Sequence, residues 1–376
     1  MTTTRSTPLV DVIEDGTSLR ELASEWDDLL GASSVPNVFL TWTWISSWME
    51  TLGSRHRLLT VTARDPSDRR LVGVAPLAIE TRTIPPLPAH RALVMIGSRP
   101  AASDHLDLIL RRGHEHVAES LWSAVLRTGG WHLIDLDGLR PDSHLADLAG
   151  RRLGHSSHSI RTSPCPYLEL PVSWDGYART LGRNLRQNLG RYGRKLDREA
   201  DKPVVERMVS EPGDAEATVL DLAELHRRSR AAGNGATAFH HDGMVEFHRL
   251  VASRFATEGK LRMHRLDVGD RAAAIIYCFR HGDVVSFYQT GFDPELSRYG
   301  PGRRIMATAI RSAIEEGATE FDFLRGNEEH KTRWRVAVRY DQRLVVSSGT
   351  RGRLVHTAMR AGWAARAART RWLGDH

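Results

Sequence analysis

The apolar positions of this chain fall into short alternating runs and a few helical stripes. From Arg57 to Glu80 the pattern predicts a hairpin: Leu58, Leu59 and Val61 begin one strand, Asp65-Pro-Ser-Asp makes the turn, and Leu71 to Ile79 returns. Prolines at 85, 86 and 88 then mark a loop, and Ala92–Ile96 and Leu106–Leu110 read as short buried strands. His114 to Arg127 has helical spacing, with Val117, Leu121, Trp122 and Val125 on one face; Gly129-Gly130 ends it, and Leu133–Leu139 is a strand.

The same order returns in the second half. Lys260–Leu266 predicts a strand, and Arg271–Phe279 and Val284–Thr290 a hairpin about His281-Gly-Asp. A Gly-rich loop follows, Ser297-Arg-Tyr-Gly-Pro-Gly302, then a helix over Arg303–Glu316 with Ile305, Met306, Ala309, Ile310, Ala313 and Ile314 on one face. Gly317 caps it, and Glu320–Gly326 reads as a strand. Helix, glycine cap and strand thus recur about half a chain apart, as a duplicated α/β unit would. The expected division is residues 1–165, residues 166–350 and a basic C-terminal helix over 351–376, with the seam in the Ser-, His- and Pro-rich stretch His155–Val172.

Composition narrows the class. A chain of 376 residues with 41% hydrophobic and 26% charged residues buries a core and suits two domains. There is no apolar run long enough to span a bilayer, and the polar start Met1-Thr-Thr-Thr-Arg has no apolar signal region, so a cytoplasmic protein is expected. Two cysteines, Cys165 and Cys278, suit neither a disulfide framework nor a cysteine zinc site, and adjacent His240-His241 lacks the spacing of two ligands on one helix face, so no metal is expected. The net charge of +6 points to an anionic partner.

A hairpin, a Gly-rich loop and a helix make a phosphate-binding arrangement, because the first helical turn offers backbone N–H groups at the positive end of the helix dipole. Arg298, Arg303 and Arg304 add charge there. No Gly-Lys-Ser/Thr follows and no Gly-x-Gly-x-x-Gly is present, so this is neither a P-loop nor a dinucleotide fingerprint. Arg183, Arg186, Arg191, Arg194, Lys195 and Arg198 form a second basic segment, read either as a contact for an anionic partner, a phosphorylated cofactor or nucleic acid, or as a solvated helix face. The C-terminal stretch, with Leu354, Val355, Met359, Trp363 and Ala367 on one side, suits either a peripheral membrane contact or packing on the domain.

These residues resemble a known family. Tyr288-Gln-Thr-Gly-Phe-Asp293, Tyr299-Gly-Pro-Gly302, Phe321-Asp-Phe and Gly326…His330-Lys331-x-x-Trp334 are similar to the acyltransferase domain of CelD-like proteins, members of the GNAT superfamily related to the FemAB transferases. Phe39-Leu-Thr-Trp42-x-Trp44-x-x-x-Trp48 and Ser103-Asp104-His105-x-Asp107 resemble further segments of that family. The resemblance implies an α/β fold of tandem GNAT-like domains, each a mixed twisted sheet flanked by helices, and transfer of an acetyl or acyl group from acyl-CoA to an amine in an inter-domain cleft. With such a donor the basic segment Arg183–Arg198 would contact CoA phosphates, an acyl carrier protein or tRNA.

It also implies cofactor contacts from Gln289, Thr290, Arg298, Tyr299, Gly300, Gly302, Arg303 and Arg304, and substrate contacts from Trp42, His105, His330, Lys331 and Trp334. Ser297 stands where the family has Gln or Arg, and His330 where it has Tyr. The candidate catalytic groups are Asp104 as base or amine-binding carboxylate, Tyr288 as proton donor to the thiolate, and Asp322. Each also has a plain structural reading: a turn cap, a core aromatic and a salt bridge respectively. Direct attack is preferred, because no Cys or Ser stands out as an acylated nucleophile. The alternatives are a FemAB-like transferase drawing on aminoacyl-tRNA and a degenerate binding protein.

Overall fold

Short strands alternate with helices along a chain seen in a computed structural model, which describes residues 7–35, 37–83, 85, 87–152, 157–231 and 238–374. In chain order the elements begin β1 (Leu9–Ile13), α1 (Gly16–Glu21), α2 (Ala23–Gly31), α3 (Trp42–Thr51), β2 (His56–Leu58), β3 (Thr60–Arg64), β4 (Leu71–Ala75), β5 (Leu77–Arg82), β6 (His90–Met95) and β7 (Ile109–Leu110). They continue with α4 (Ala118–Thr128), β8 (Leu133–Leu139), α5 (His144–Arg152), β9 (Ser157–Glu169), α6 (Trp174–Thr180), α7 (Arg183–Glu199), β10 (Val204–Val209), α8 (Pro212–Ala231) and α9 (Met244–Thr257). The last are β11 (Leu261–Val268), β12 (Arg271–His281), β13 (Val284–Phe292), α10 (Pro301–Glu315), β14 (Glu320–Asp322), α11 (Glu329–Thr332), β15 (Ala337–Ser347) and α12 (Gly349–Gly374).

Two units emerge. The first comprises Met1–Val35, Gly53–Thr162 and Asp341–His376; the second, Pro36–Leu52 and Ser163–Tyr340. The expected seam at 165 lies beside the crossing at 162/163. The aromatic segment 36–52, expected with the first domain, is grouped with the second, and α12 returns to the first.

In the first unit the expected hairpin is cut in two. Pro76, which has no N–H to give to a ladder, separates β4 from β5. β3 and β4 join a small antiparallel sheet of order β1-β3-β4-β7, whereas β2 and β5 pair in a second sheet. There the order is β2-β5-β6-β8-β15, with β6 and β8 parallel. α12 starts against this sheet: Val355 packs with Leu133 and Val345, and Met359 and Trp363 extend the contact.

The second unit has the order β10-β11-β12-β13-β14-β9, with β13 and β14 parallel and the other pairs antiparallel. The sequence β5-β6, α4, β8, β15 therefore reappears as β12-β13, α10, β14, β9: an antiparallel hairpin, a helix, a parallel return strand and an antiparallel neighbour. This shared topology is the structural form of the duplication read from the sequence. α10 buries its expected face, Ile305, Met306, Ala309, Ile310, Ala313 and Ile314, in a core with Phe287, Phe321, Phe323 and Trp334. No helix among the described residues is long and apolar enough to cross a membrane.

One buried charge ties the first unit's sheet together. Asp135 of β8 receives the Arg343 guanidinium of β15 at 2.6 and 2.7 Å and also pairs with Arg82 of β5. Burial alone would raise its pKa; the two arginines outweigh that and hold it far below the usual carboxylate range. Asp135→Ala leaves the largely buried Arg343 guanidinium without its carboxylate and Arg82 with Glu80 alone, and is expected to cost about 3–5 kcal/mol in urea unfolding. Because the folded-state pKa is depressed, the wild-type contribution is present at neutral pH and lost as pH falls below about 4. The gap between wild type and variant should therefore close in acid.

Candidate functional site

A ladder that stops early creates the site. β13 and β14 pair only over Val284–Ser286 and Glu320–Asp322. The chain beyond Asp322 stays bonded to β9's side, with Phe323 N–H donating to Pro166 O and Gly326 N–H to Pro164 O, both at 2.9 Å. β13 bends the other way. Tyr277 faces Gln289 and Cys278 faces Phe287, so Tyr288 is the extra residue of a bulge, which kinks the strand. Past Ser286 the edge of β13 toward β14 has no ladder partner among the described strands, and a wedge opens between the two.

The start of α10 lies in this wedge. Gly300 caps the helix at φ 58°, ψ 43°, a left-handed conformation that glycine takes without strain, and Pro301 occupies the first turn. No side chain caps the helix and its first turn has no acid to offset the positive end of the dipole. A cavity of about 560 Å³ adjoins it. Thr290, Gly291 and Phe292 of β13 form one wall, Ser297, Gly300–Arg303 and Met306 another. Leu185 of α7, Leu225, His226 and Ser229 of α8, and Glu328, His330, Arg333 and Trp334 complete it. β13 is pressed close to α8 here: a Cβ on Gly291 would meet Leu222, Leu225 and His226 at 3.0–3.2 Å.

Three titratable groups of the cavity are perturbed. His226 is held neutral by burial, and its Nε2 donates to the Thr290 carbonyl at 3.0 Å. Burial also lowers the His330 pKa; Glu328 opposes this, and the positive charges of Lys331 and Arg333 reinforce it. Burial works against ionisation of Glu328, yet the Lys331 ammonium, 3.0 Å away, keeps its pKa below the ordinary value. At neutral pH the cavity thus holds an ionised carboxylate and two uncharged imidazoles.

The expected site residues divide. Thr290, Gly300, Gly302, Arg303, His330 and Trp334 line the cavity. Four of the other basic or aromatic candidates are taken up in holding the scaffold. Arg298 lies over the Tyr299 ring, 4.6 Å from its centroid, and the buried Tyr299 donates to Glu199. Arg304 bonds Glu206 and Asp197 at 2.8 and 2.7 Å, tying α10 to β10 and α7. Lys331, expected among the substrate contacts, is buried and donates to Arg325 O at 2.7 Å. Gln289 is half-buried beside the bulge and does not line the cavity.

The catalytic candidates fare similarly. Asp322 is buried, pairs with Arg339 and accepts from Leu324 N–H at 2.8 Å, which is the salt-bridge role. Tyr288 turns its ring into an aromatic cluster with Trp44, His248 and Phe279, at 4.9–5.6 Å, away from the cavity lining. Trp42 is half-buried at the start of α3. Asp104 and His105 belong to the first unit, both buried; His105 has φ 57° and its Nδ1 lies 2.9 Å from Asp341. The α8 wall, with His226 and Ser229, escaped sequence reading because it carries no motif. Glu328 and Arg333 were missed too, although the charged run after Gly326 is a signal of a polar loop.

Residues 183–332 match the family model of the acetyltransferase (GNAT) domain, a span from α7 through α11 that takes in the cavity lining except Arg333 and Trp334. No curated protein matches the chain. Among solved structures, FemX is similar with a TM-score of 0.61 at 11% identity, over 89% of this chain and 96% of that one. The C-terminal domain of a putative lysylphosphatidylglycerol synthetase from Agrobacterium fabrum follows at 0.54 and 10%, over 90% and 95%. L-PGS from Bacillus licheniformis gives 0.52 and 10%, over 86% and 91%. At these identities the likeness is one of fold. The second unit carries a GNAT-type acyltransferase fold.

Asp293 fixes the turn between β13 and the glycine loop. Fully buried, it accepts from Arg228 of α8 at 2.8 and 3.1 Å and from Glu295 N–H at 3.1 Å, and it pairs with Arg271. Asp293→Ala is expected to cost about 3 kcal/mol, the low end for a broken buried pair because Arg271 reaches solvent. Chemical denaturation measures this, and limited proteolysis of the variant should cut first within 294–300.

Proposed function

We propose that the protein is an N-acyltransferase that moves an acetyl or acyl group from acyl-CoA to an amine. One observation carries the reading: an unpaired strand edge, an uncapped helix start and a neutral histidine meet in a single cavity. The residues present suit the donor. Backbone N–H groups of the first turn of α10, with Arg303, would receive the pyrophosphate. Leu185, Leu225, Phe292 and Met306 offer apolar walls to the pantetheine and acyl chain. The CelD-like motifs at Tyr288–Asp293 and Phe321–Trp334 support that subfamily, and a cytoplasmic setting goes with it.

The chemistry asks little of the side chains. The amine nitrogen attacks the thioester carbonyl, a C–N bond forms, the C–S bond breaks, and the thiolate takes up a proton. Freed N–H groups on the open edge of β13 would stabilise the oxyanion. His330 is our candidate for the base that removes the amine proton, because its lowered pKa keeps it unprotonated at neutral pH.

A thermal-shift titration with CoA and acyl-CoAs tests the reading: stabilisation is expected, and Arg303→Ala should weaken it by about tenfold in Kd, the worth of one charged hydrogen bond. No shift with any acyl-CoA would overturn it. Gly302 is a poorer probe, since a Cβ there would press on the Phe292 ring at 3.3 Å.

A second expectation concerns pH. With an amine found by following thiol release from acetyl-CoA, kcat/KM should fall as pH drops through the His330 pKa, below about 6.5, because protonation removes the base. His330→Gln should lower kcat/KM and flatten that limb. An unchanged limb would remove His330 from the role.

A further inference from the structure

The arginine face of α7 is left unused by the transferase chemistry. Arg183, Arg186, Arg194 and Arg198 are exposed and stand at helical offsets that bring them onto one side, with exposed Arg191 close to the same stripe. The opposite side, Leu185, Leu189 and Leu196, packs into the second unit's core. The acids of this helix are turned to other work: Asp197 bonds Arg304 at 2.7 Å, and Glu199 accepts from Tyr299 and lies 3.9 Å from Lys195. Among the described residues, Arg183, Arg186, Arg194 and Arg198 form no ion pair; Arg186 and Arg198 bond only backbone carbonyls, those of Arg179 and Arg194.

Position and length give this face a meaning. Leu185, between Arg183 and Arg186, lines the cavity, so the stripe begins at the cavity wall. From Arg183 to Arg198 it runs fifteen residues, about 22 Å at a rise of ~1.5 Å each. The phosphates of CoA cluster on one nucleotide and are matched by a helix start and Arg303. A row of guanidinium groups leading away from the cavity exceeds what CoA presents. It matches a row of carboxylates, which arginine grips in a bidentate fashion.

We propose that α7 docks an acidic carrier protein that delivers the acyl group on a phosphopantetheine arm, the arm entering the cavity and an acidic helix of the carrier lying along the arginines. The inference rests on the acyl-thioester reading of the cavity. CoA and a carrier protein present the same arm to it, and only the carrier reaches the outer arginines.

The test uses the full chain and an acidic acyl carrier protein bearing a hexanoyl phosphopantetheine thioester, with hexanoyl-CoA and bulk tRNA as the comparison ligands. Binding is read by fluorescence anisotropy at low and moderate salt. The loaded carrier should bind, hexanoyl-CoA should compete with it, and added salt should weaken it. Arg194→Glu/Arg198→Glu should raise the ratio of carrier Kd to hexanoyl-CoA Kd at least tenfold, and Arg194→Ala/Arg198→Ala should move it the same way by less. Both substitutions are on the exposed face, and an unchanged Tm checks the fold.

Binding of hexanoyl-CoA without the carrier would overturn the docking and leave the acyl-CoA reading standing. An equal loss for both ligands would also overturn it. If tRNA binds, is released by the double variant and is not matched by the carrier, the face belongs to RNA and the proposal fails. If neither thioester binds, the reading of the cavity fails and takes the docking with it.

Discussion

The second unit depends on a choice made by a few backbone amides. After Asp322 the chain can stay beside β13 or follow β9, and the bonds of Phe323 and Gly326 to Pro166 and Pro164 commit it to β9. A parallel ladder three residues long is the result. Open edges are ordinarily a liability that proteins cover. Here the edge is turned inward, roofed by α8 and the α11 segment, and becomes a row of donors with a helix start at its end. The bulge at Tyr288 serves the same divergence from the other strand. The cavity follows from where hydrogen bonds are satisfied, and side-chain chemistry is added to it afterwards.

Charge near the glycine loop is sorted with comparable economy. Three arginines surround the loop in sequence. Arg298 lies along Tyr299 and Arg304 braces α10 against Glu206 and Asp197, so both fix the scaffold, and Arg303 alone of the three lines the cavity. Asp293 anchors the loop's beginning with Arg228, from the same helix that supplies Leu225, His226 and Ser229 to the cavity wall. One buried carboxylate thereby sets the spacing between that wall and the loop. A buried ion pair of this kind adds little net stability relative to apolar packing, but its geometry is directional. Direction is what a site built between a strand edge and a helix needs.

Much of the fold was legible because period and punctuation agreed. The stripe of α10, its glycine cap and the hairpin before it follow from apolar spacing and turn residues, and the structure has them within a residue or two. Where legibility failed, the cause was non-local. The apolar run is unbroken from Leu71 to Ile79, and Pro76 within it does not tell that its two sides join different sheets. Polar and apolar residues alternate over Glu320–Phe323, yet the regular strand ends at Asp322, whose carboxylate captures the Leu324 N–H while Leu324 takes φ 56°. α7 carries Gly190 and Gly193 and reads as a weak helix; Leu196 and its neighbours supply the tertiary packing that holds it. The site was half legible for the same reason. A sequence gives the loop that begins the helix, and it does not tell which of several arginines a distant acid will neutralise.

The histidines show why environment has to be added to identity. His226 and His330 line one cavity, and burial lowers the pKa of both. His226 spends its Nε2 proton on the Thr290 carbonyl, which fixes its tautomer and holds α8 to the bent strand. His330 sits on the segment between Leu324 and Arg335, two non-glycine residues held at φ 56° and 57°, and Lys331 pins that segment through Arg325 and Glu328. Backbone strain of this kind persists only where the surroundings over-determine it. The buried lysine is therefore the reason its neighbour can be held toward the cavity. The residue at 331 is structural, the residue at 330 faces the cavity, and the division between them is made by a strained loop rather than by the two side chains.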